Sequence, residues 1–153
     1  MIIWLASYPK SGNTWVRSMV SSLLYSNDGN FNFELMLKVS QFPEKKYFKN
    51  FVNDFGNFNE IKKSWISAQD IINLDNQIKV LKTHQGKYTV DKDSFTNDQN
   101  TLATIYIVRD PRTLISSISN HYTLSFDEAS NFLITPQIIG NNKSWEDKET
   151  GMK

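Results

Sequence analysis

The residues that are best suited to carry out chemistry lie near the start of the chain, in the segment Tyr-Pro-Lys-Ser-Gly-Asn-Thr-Trp at positions 8–15. The segment follows a short apolar run and precedes an amphipathic stretch, so we predict that it joins a strand to the N-terminus of a helix. Unpaired backbone N–H groups and the helix dipole make such a terminus an anion site. Gly12 lets the backbone approach the anion closely. Side-chain donors can come from Ser11, Asn13 and Thr14.

The position of the lysine distinguishes this loop from that of ordinary nucleoside triphosphatases. A Walker loop has a glycine, four further residues and then Gly-Lys-Ser/Thr. In this chain Lys10 precedes Gly12, and no glycine stands earlier. A phosphotransferase is therefore disfavoured, although the loop still suits a phosphate or a related anion.

Two further polar segments stand at the ends of predicted strands, Lys82-Thr83-His84 and Arg109-Asp110-Pro111-Arg112. A histidine titrates near neutral pH, so His84 is the natural general base. The planar guanidinium of Arg109 suits two-point contact with a phosphate, and the hydroxyl of Ser117 could join it from the following helix. Structural interpretations stay open, because a lone histidine is often structural and Arg109 could belong to a capping ion pair.

Strands and helices alternate around these segments. Three apolar runs predict strands, at Ile2–Ala6, Ile78–Thr83 and Thr101–Val108. An apolar stripe from Trp15 to Leu24 predicts a helix after the first strand, and Asp110 with Pro111 predicts the cap and first turn of a helix after the third. Between residues 30 and 76 the pattern predicts shorter helical pieces, Glu34–Val39 and Glu60–Ile72.

This order predicts an α/β fold in one domain over residues 1–153, a parallel sheet with flanking helices similar to P-loop nucleotide-binding folds. In such sheets ligands bind beyond the carboxyl ends of the strands, where all three polar segments are expected to meet. The polar tail from Thr135 to Lys153 shows no further strand pattern.

Composition and charge narrow the function classes. The formal net charge is +1, from 17 basic and 16 acidic residues, so no broad positive field exists to bind nucleic acid or an anionic membrane. The chain has no cysteine, which excludes disulfides, thiolate metal sites and a cysteine nucleophile. The apolar start lacks a basic region and no run reaches membrane-spanning length, so we expect a soluble, cytoplasmic protein.

The polar segments together resemble one family. The octapeptide at 8–15 is similar to the 5'-phosphosulfate loop of cytosolic-type sulfotransferases, usually Tyr-Pro-Lys-Ser-Gly-Thr-Thr-Trp, and differs from it only at Asn13. Lys82-Thr83-His84 resembles the family's Lys-Thr-His segment. The run Tyr106–Arg112, followed by Ser117, resembles its 3'-phosphate motif. The three motifs occur in the family's order.

The resemblance implies an enzyme that uses 3'-phosphoadenosine 5'-phosphosulfate as co-substrate and no metal. It implies that Lys10 neutralises charge on the leaving phosphate and that His84 is the base for the acceptor hydroxyl, with Lys82 assisting near the transferring sulfonate. It also implies that Trp15 stacks on the adenine. The expected donor-binding residues are Lys10, Ser11, Gly12, Asn13, Thr14, Trp15, Arg109 and Ser117.

An aromatic group lies where the family builds part of its acceptor pocket. Such a pocket would suit a small-molecule or glycan acceptor, but core packing is the simpler interpretation for most of the group. Its members are Phe31, Phe33, Phe42, Tyr47, Phe48, Phe51, Phe55, Phe58 and Trp65.

The resemblance covers Ile2 to about Trp145, but family members are generally longer and carry a C-terminal Arg-Lys-Gly segment that completes the donor site. We therefore expect the N-terminal part of a sulfotransferase, a single but incomplete nucleotide-binding domain. Two other functions stay open. One is a truncated, non-catalytic remnant that binds the donor or its desulfated product, and the less favoured one is a P-loop phosphotransferase.

Overall fold

The computed structural model describes residues 1–135 and, for the backbone alone, two short strands further on. In chain order the elements are β1 (Ile2–Ser7), α1 (Asn13–Tyr25), α2 (Phe33–Lys38), a 3-10 turn (Lys45–Tyr47), α3 (Phe58–Lys63), α4 (Trp65–Asn73), β2 (Lys79–Thr83), β3 (Thr89–Val90), β4 (Asp93–Ser94), β5 (Thr101–Ile107), α5 (Pro111–Tyr122), α6 (Phe126–Ile134), β6 (Ile138–Ile139) and β7 (Gly151–Met152).

The central sheet has three parallel strands in the order β2-β1-β5. Trp4 lies opposite Leu81 on one side and Thr104 on the other. The predicted α/β fold with a parallel sheet is thereby confirmed, because each of the three apolar runs forms a strand. The carboxyl ends of the three strands lie at the same end of the sheet, and the three polar segments lie there.

Helices cover both faces of β1 because its apolar side chains alternate between them. Trp4 packs on one face in a buried cluster with Phe42, Trp65 and Phe95. Leu5 points to the other face, where α1 contributes the partly buried Val16 and Val20. Only these two residues of the predicted stripe fasten α1 to the sheet, whereas its other members are exposed, namely Trp15, Met19, Leu23 and Leu24.

Strand β5 differs from the other two because it faces solvent along most of its length. Its apolar side chains Leu102, Ile105 and Tyr106 are 47%, 46% and 66% exposed. Parallel strands are usually covered on both faces. The described part of the chain thus leaves an apolar sheet surface uncovered on this side.

Some elements differ from the sequence prediction. The helix predicted at Glu60–Ile72 is divided at Ser64 into α3 and α4. Helix α6 was not predicted, although Ser125 and Glu128 form a capping box at its start, which is a readable sequence signal.

The expectation of no strand after Thr135 was wrong, since β6 and β7 form an antiparallel pair. Strands of two residues carry too little pattern to be recognised. The end of the resemblance near Trp145 lies outside the described residues. Within the described residues, the helices are too short or too polar to traverse a lipid bilayer.

Candidate functional site

The three polar segments meet at one pocket of about 410 Å³ at the carboxyl ends of the strands. This volume falls in the usual range for small-molecule sites. Ser11 is buried and lines a neighbouring groove instead. The other predicted site residues all line the pocket, namely Lys10, Gly12, Asn13, Thr14, Trp15, Lys82, His84, Arg109 and Ser117.

The loop ends in a backbone conformation that only glycine adopts without strain. Gly12 caps α1 with φ 97° and ψ 14°, in the left-handed region. A Cβ placed on Gly12 would meet no atom within 4 Å, so open space lies beside its backbone. The amides of Trp15 and Val16 both donate to the carbonyl of Gly12, and the N–H groups just before them have no helical carbonyl to bind. The local geometry therefore fits an anion.

Arg109 fastens this loop to the end of β5. Its Nη1 donates to the carbonyl oxygen of Lys10 at 3.1 Å, and its Nε donates to Oγ1 of Thr113 at 3.1 Å. Asp110 pairs instead with Arg112, at 2.6 Å between Oδ2 and Nη2, and these hydrogen bonds lower the pKa of Asp110. The capping ion pair thus uses Arg112. Arg109 has five N–H donors and uses one for the loop and one for Thr113 in these contacts.

His84 contacts the end of β1 through Nδ1 of its ring. Its Nδ1 lies 2.8 Å from the carbonyl oxygen of Ser7 and 3.2 Å from Oγ of the same residue. A carbonyl oxygen only accepts, so Nδ1 carries the proton. The neutral ring then has its lone pair on Nε2, as a general base requires.

Lys82 is positioned by a residue that the sequence did not single out. Its Nζ donates to Oε1 of Gln41 at 2.6 Å. Backbone hydrogen bonds hold the two segments together, from Phe42 N to Lys82 O and from Lys82 N to Ser40 O, both at 2.8 Å. No sequence signal marks Gln41, because a segment between helices pairs here with a strand far along the chain.

Asn13 is placed differently from its neighbours in the loop. We expected its side chain to donate to an anion, but its Nδ2 donates to Leu5 O at 3.0 Å and to Ser7 Oγ at 3.1 Å. The residue is only 4% exposed. Its amide therefore faces the sheet, whereas Thr14 is exposed beside the pocket.

The aromatic residues divide between core and surface. Trp15 is 74% exposed and lines the pocket, so it is not a core residue. Phe42, Phe48 and Trp65 are fully buried, and Tyr47, Phe51, Phe55 and Phe58 pack partly buried against them. Core packing is confirmed for these seven. The remaining two residues of the aromatic group, Phe31 and Phe33, are exposed.

His121 and Tyr122 also line the pocket, although the sequence pattern indicated no functional role for His121. His121 was expected on a solvated helix face, and it is exposed as expected. It follows Ser117 by one helical turn and so shares its face of α5. That spacing was the signal that could have found it. Burial raises the pKa values of Tyr122 and Tyr8 further above the physiological range, so both phenols are neutral.

The described residues of the pocket wall carry a net positive charge. Lys10, Lys82 and Arg109 are among them, and the other described lining residues are neutral side chains and histidines. Over the described ranges, no cluster of three or more histidine or acidic residues could hold a metal ion. The arrangement suits a ligand that is itself an anion.

Comparison with known proteins gives one match. The family model described as "Sulfotransferase domain" matches residues 2–146, nearly the whole chain. No curated protein and no solved structure shows significant similarity.

Proposed function

Because the chain belongs to the sulfotransferase domain family, we propose that it transfers a sulfuryl group from 3'-phosphoadenosine 5'-phosphosulfate to a hydroxyl or amine. The acceptor is a small molecule or a glycan, and no metal takes part. One observation carries the proposal. Three functional side chains from segments distant in the sequence line one pocket, namely Lys10, His84 and Arg109. Lys10 is a cation in the loop, His84 has its basic nitrogen unprotonated, and the guanidinium of Arg109 suits a phosphate.

The pocket offers separate positions for the two ends of the donor. The first turn of α1 supplies backbone N–H groups for the 5'-phosphosulfate. Arg109 follows β5 and Ser117 lies on α5, and both line the pocket and suit the 3'-phosphate. The exposed ring of Trp15 is available for stacking on the adenine.

The donor supplies an electrophilic sulfur and an anionic leaving group. The acceptor oxygen forms the new S–O bond as the bond from sulfur to the bridging phosphate oxygen breaks. His84 takes the hydroxyl proton on Nε2. Lys10 and Lys82 stabilise the negative charge that develops on the leaving phosphate and on the sulfonate.

Donor recognition is the first test of the proposal. We expect adenosine 3',5'-bisphosphate, the desulfated donor, to bind more tightly than ATP or AMP, because each of its phosphates meets its own site. Titration calorimetry with the three nucleotides measures this. Equal or tighter binding of ATP would contradict the proposed donor. Selective binding without sulfuryl transfer to any acceptor would leave a non-catalytic binding function.

Arg109→Ala is expected to weaken binding of adenosine 3',5'-bisphosphate by roughly 10- to 150-fold, the equivalent of a charge-assisted hydrogen bond of about 1.5 to 3 kcal/mol. Binding of adenosine 5'-phosphosulfate, which lacks the 3'-phosphate, should change much less. Calorimetry on both ligands distinguishes these effects.

Arg112→Ala is the matched control, because Arg112 is a nearby exposed arginine that does not line the pocket. It removes the same charge and should leave both affinities nearly unchanged. An equal loss for the two nucleotides in Arg109→Ala would show that Arg109 only holds the loop through its bond to Lys10 O.

A further inference from the structure

The amide of Asn13 has a defined orientation. Its nitrogen faces the carbonyl oxygen of Leu5 at 3.0 Å, and a carbonyl cannot donate, so the NH₂ end must point there. The second N–H reaches Oγ of Ser7 at 3.1 Å. Asn13 therefore ties the first residue of α1 to the end of β1 with both of its donors.

Ser7 passes this constraint on to the histidine. Its hydroxyl oxygen accepts from Asn13, and its carbonyl oxygen accepts from Nδ1 of His84 at 2.8 Å. The hydroxyl lies 3.2 Å from the same nitrogen. With the proton on Nδ1, the N–H is shared between the two oxygens of Ser7. Ser7 is 3% and Asn13 4% exposed, so water competes little for these contacts.

We propose that Ser7 and Asn13 are positioning residues for His84. Asn13 fixes the hydroxyl of Ser7, and the two oxygens of Ser7 hold the imidazole as the Nδ1–H tautomer, which directs the basic Nε2 to the pocket. This inference rests on the proposed role of His84 as the base. It also gives Asn13, the loop position that departs from the usual pattern, a task different from contact with the donor.

The contact has a consequence after proton transfer. When Nε2 accepts the acceptor's proton, the ring becomes a cation and Nδ1–H stays on Ser7. The carbonyl and hydroxyl dipoles then stabilise the imidazolium, because hydrogen bonds to a charged donor are stronger than those to a neutral one. Ser7 thereby provides with neutral oxygens the orientation that a carboxylate provides in other histidine sites.

Nuclear magnetic resonance of the ¹⁵N-labelled chain tests this directly. The sequence has two histidines, and a His121→Gln variant identifies the signals of His84. At a pH where both rings are neutral, the ¹⁵N shifts should show a protonated Nδ1 and an unprotonated Nε2. An Nε2–H tautomer of His84 in the unsubstituted chain would overturn the proposal.

Substitutions of Ser7 and Asn13 measure how firmly the Nδ1–H of His84 is held. In Ser7→Ala and Asn13→Ala the exchange of this proton with water should accelerate by about twofold to tenfold, the equivalent of one lost hydrogen bond. Ser7→Thr retains the hydroxyl and should exchange like the parent. Ser21→Ala is the matched control, since Ser21 is fully buried on α1 and bonds Ser18 O instead.

Exchange at the parent rate in Ser7→Ala would show that Ser7 is only a structural residue. If Asn13→Ala does not fold, the pair Ser7→Ala and Ser7→Thr still decides the question. The experiment needs no nucleotide, whereas the proposed function is tested by nucleotide binding. A failure of one is therefore distinct from a failure of the other.

Discussion

His84→Ala is expected to lower sulfuryl transfer to a weakly acidic aliphatic alcohol by about 100- to 10,000-fold, the usual contribution of a positioned general base. The loss follows from the geometry, because the neutral ring directs its basic nitrogen away from Ser7. An acidic phenol loses its proton without much help, so it should recover a large part of the lost rate. Transfer of radiolabelled sulfate to a series of alcohols and phenols measures the dependence on acceptor acidity.

The control for His84→Ala is donor binding, which should be close to that of the parent in titration calorimetry. Circular dichroism confirms that the variant is folded. Undiminished transfer to the aliphatic alcohol would exclude His84 as the base. An equal loss with every acceptor would indicate that the histidine orients the donor or the loop rather than removing a proton.

Lys10→Ala is expected to slow transfer by roughly 100- to 1,000-fold with every acceptor, acidic phenols included, because the lysine stabilises charge on the leaving group. The backbone should tolerate the change. Lys10 has φ 66°, and alanine carries the same Cβ in this left-handed conformation, so no new strain is added. The measurement is single-turnover transfer at saturating donor.

Lys49→Ala is the matched control for Lys10→Ala, because Lys49 is an exposed lysine that does not line the pocket. It should leave the rate unchanged. Rescue of Lys10→Ala by an acidic phenol would contradict the assignment, since the two variants at positions 10 and 84 are expected to differ in this respect. Different responses of the two would separate leaving-group stabilisation from proton removal.

Much of the fold followed from local rules. A short apolar run, a glycine at the required turn and an amphipathic stripe predicted β1, the loop and α1. Asp110 and Pro111 predicted the start of α5, where the structure has Asp110 as N-cap with its side chain accepting from Arg112 N. Parallel strands place their carboxyl ends together, so the meeting of the three polar segments could also be expected.

Elements with little local pattern were not predicted. The hairpin of β3 and β4 has strands of two residues, too short for an alternation to show. The division at Ser64 was missed because α3 and α4 together continue one apolar stripe. Trp65, the first residue of α4, packs in the buried cluster with residues distant in the sequence, such as Phe42 and Phe95.

The sequence by itself determined the types of residue in the site and the loop that carries them, because turn chemistry and strand periodicity act over a few neighbouring residues. Only the tertiary structure decided the direction of each side chain. His84 meets Ser7 across 77 residues, and Lys82 meets Gln41 across 41. Such contacts depend on which strands lie side by side and on which polar groups remain unpaired in the interior. The side chain of Asn13 turns toward the sheet for a similar reason, because its amide finds acceptors on β1.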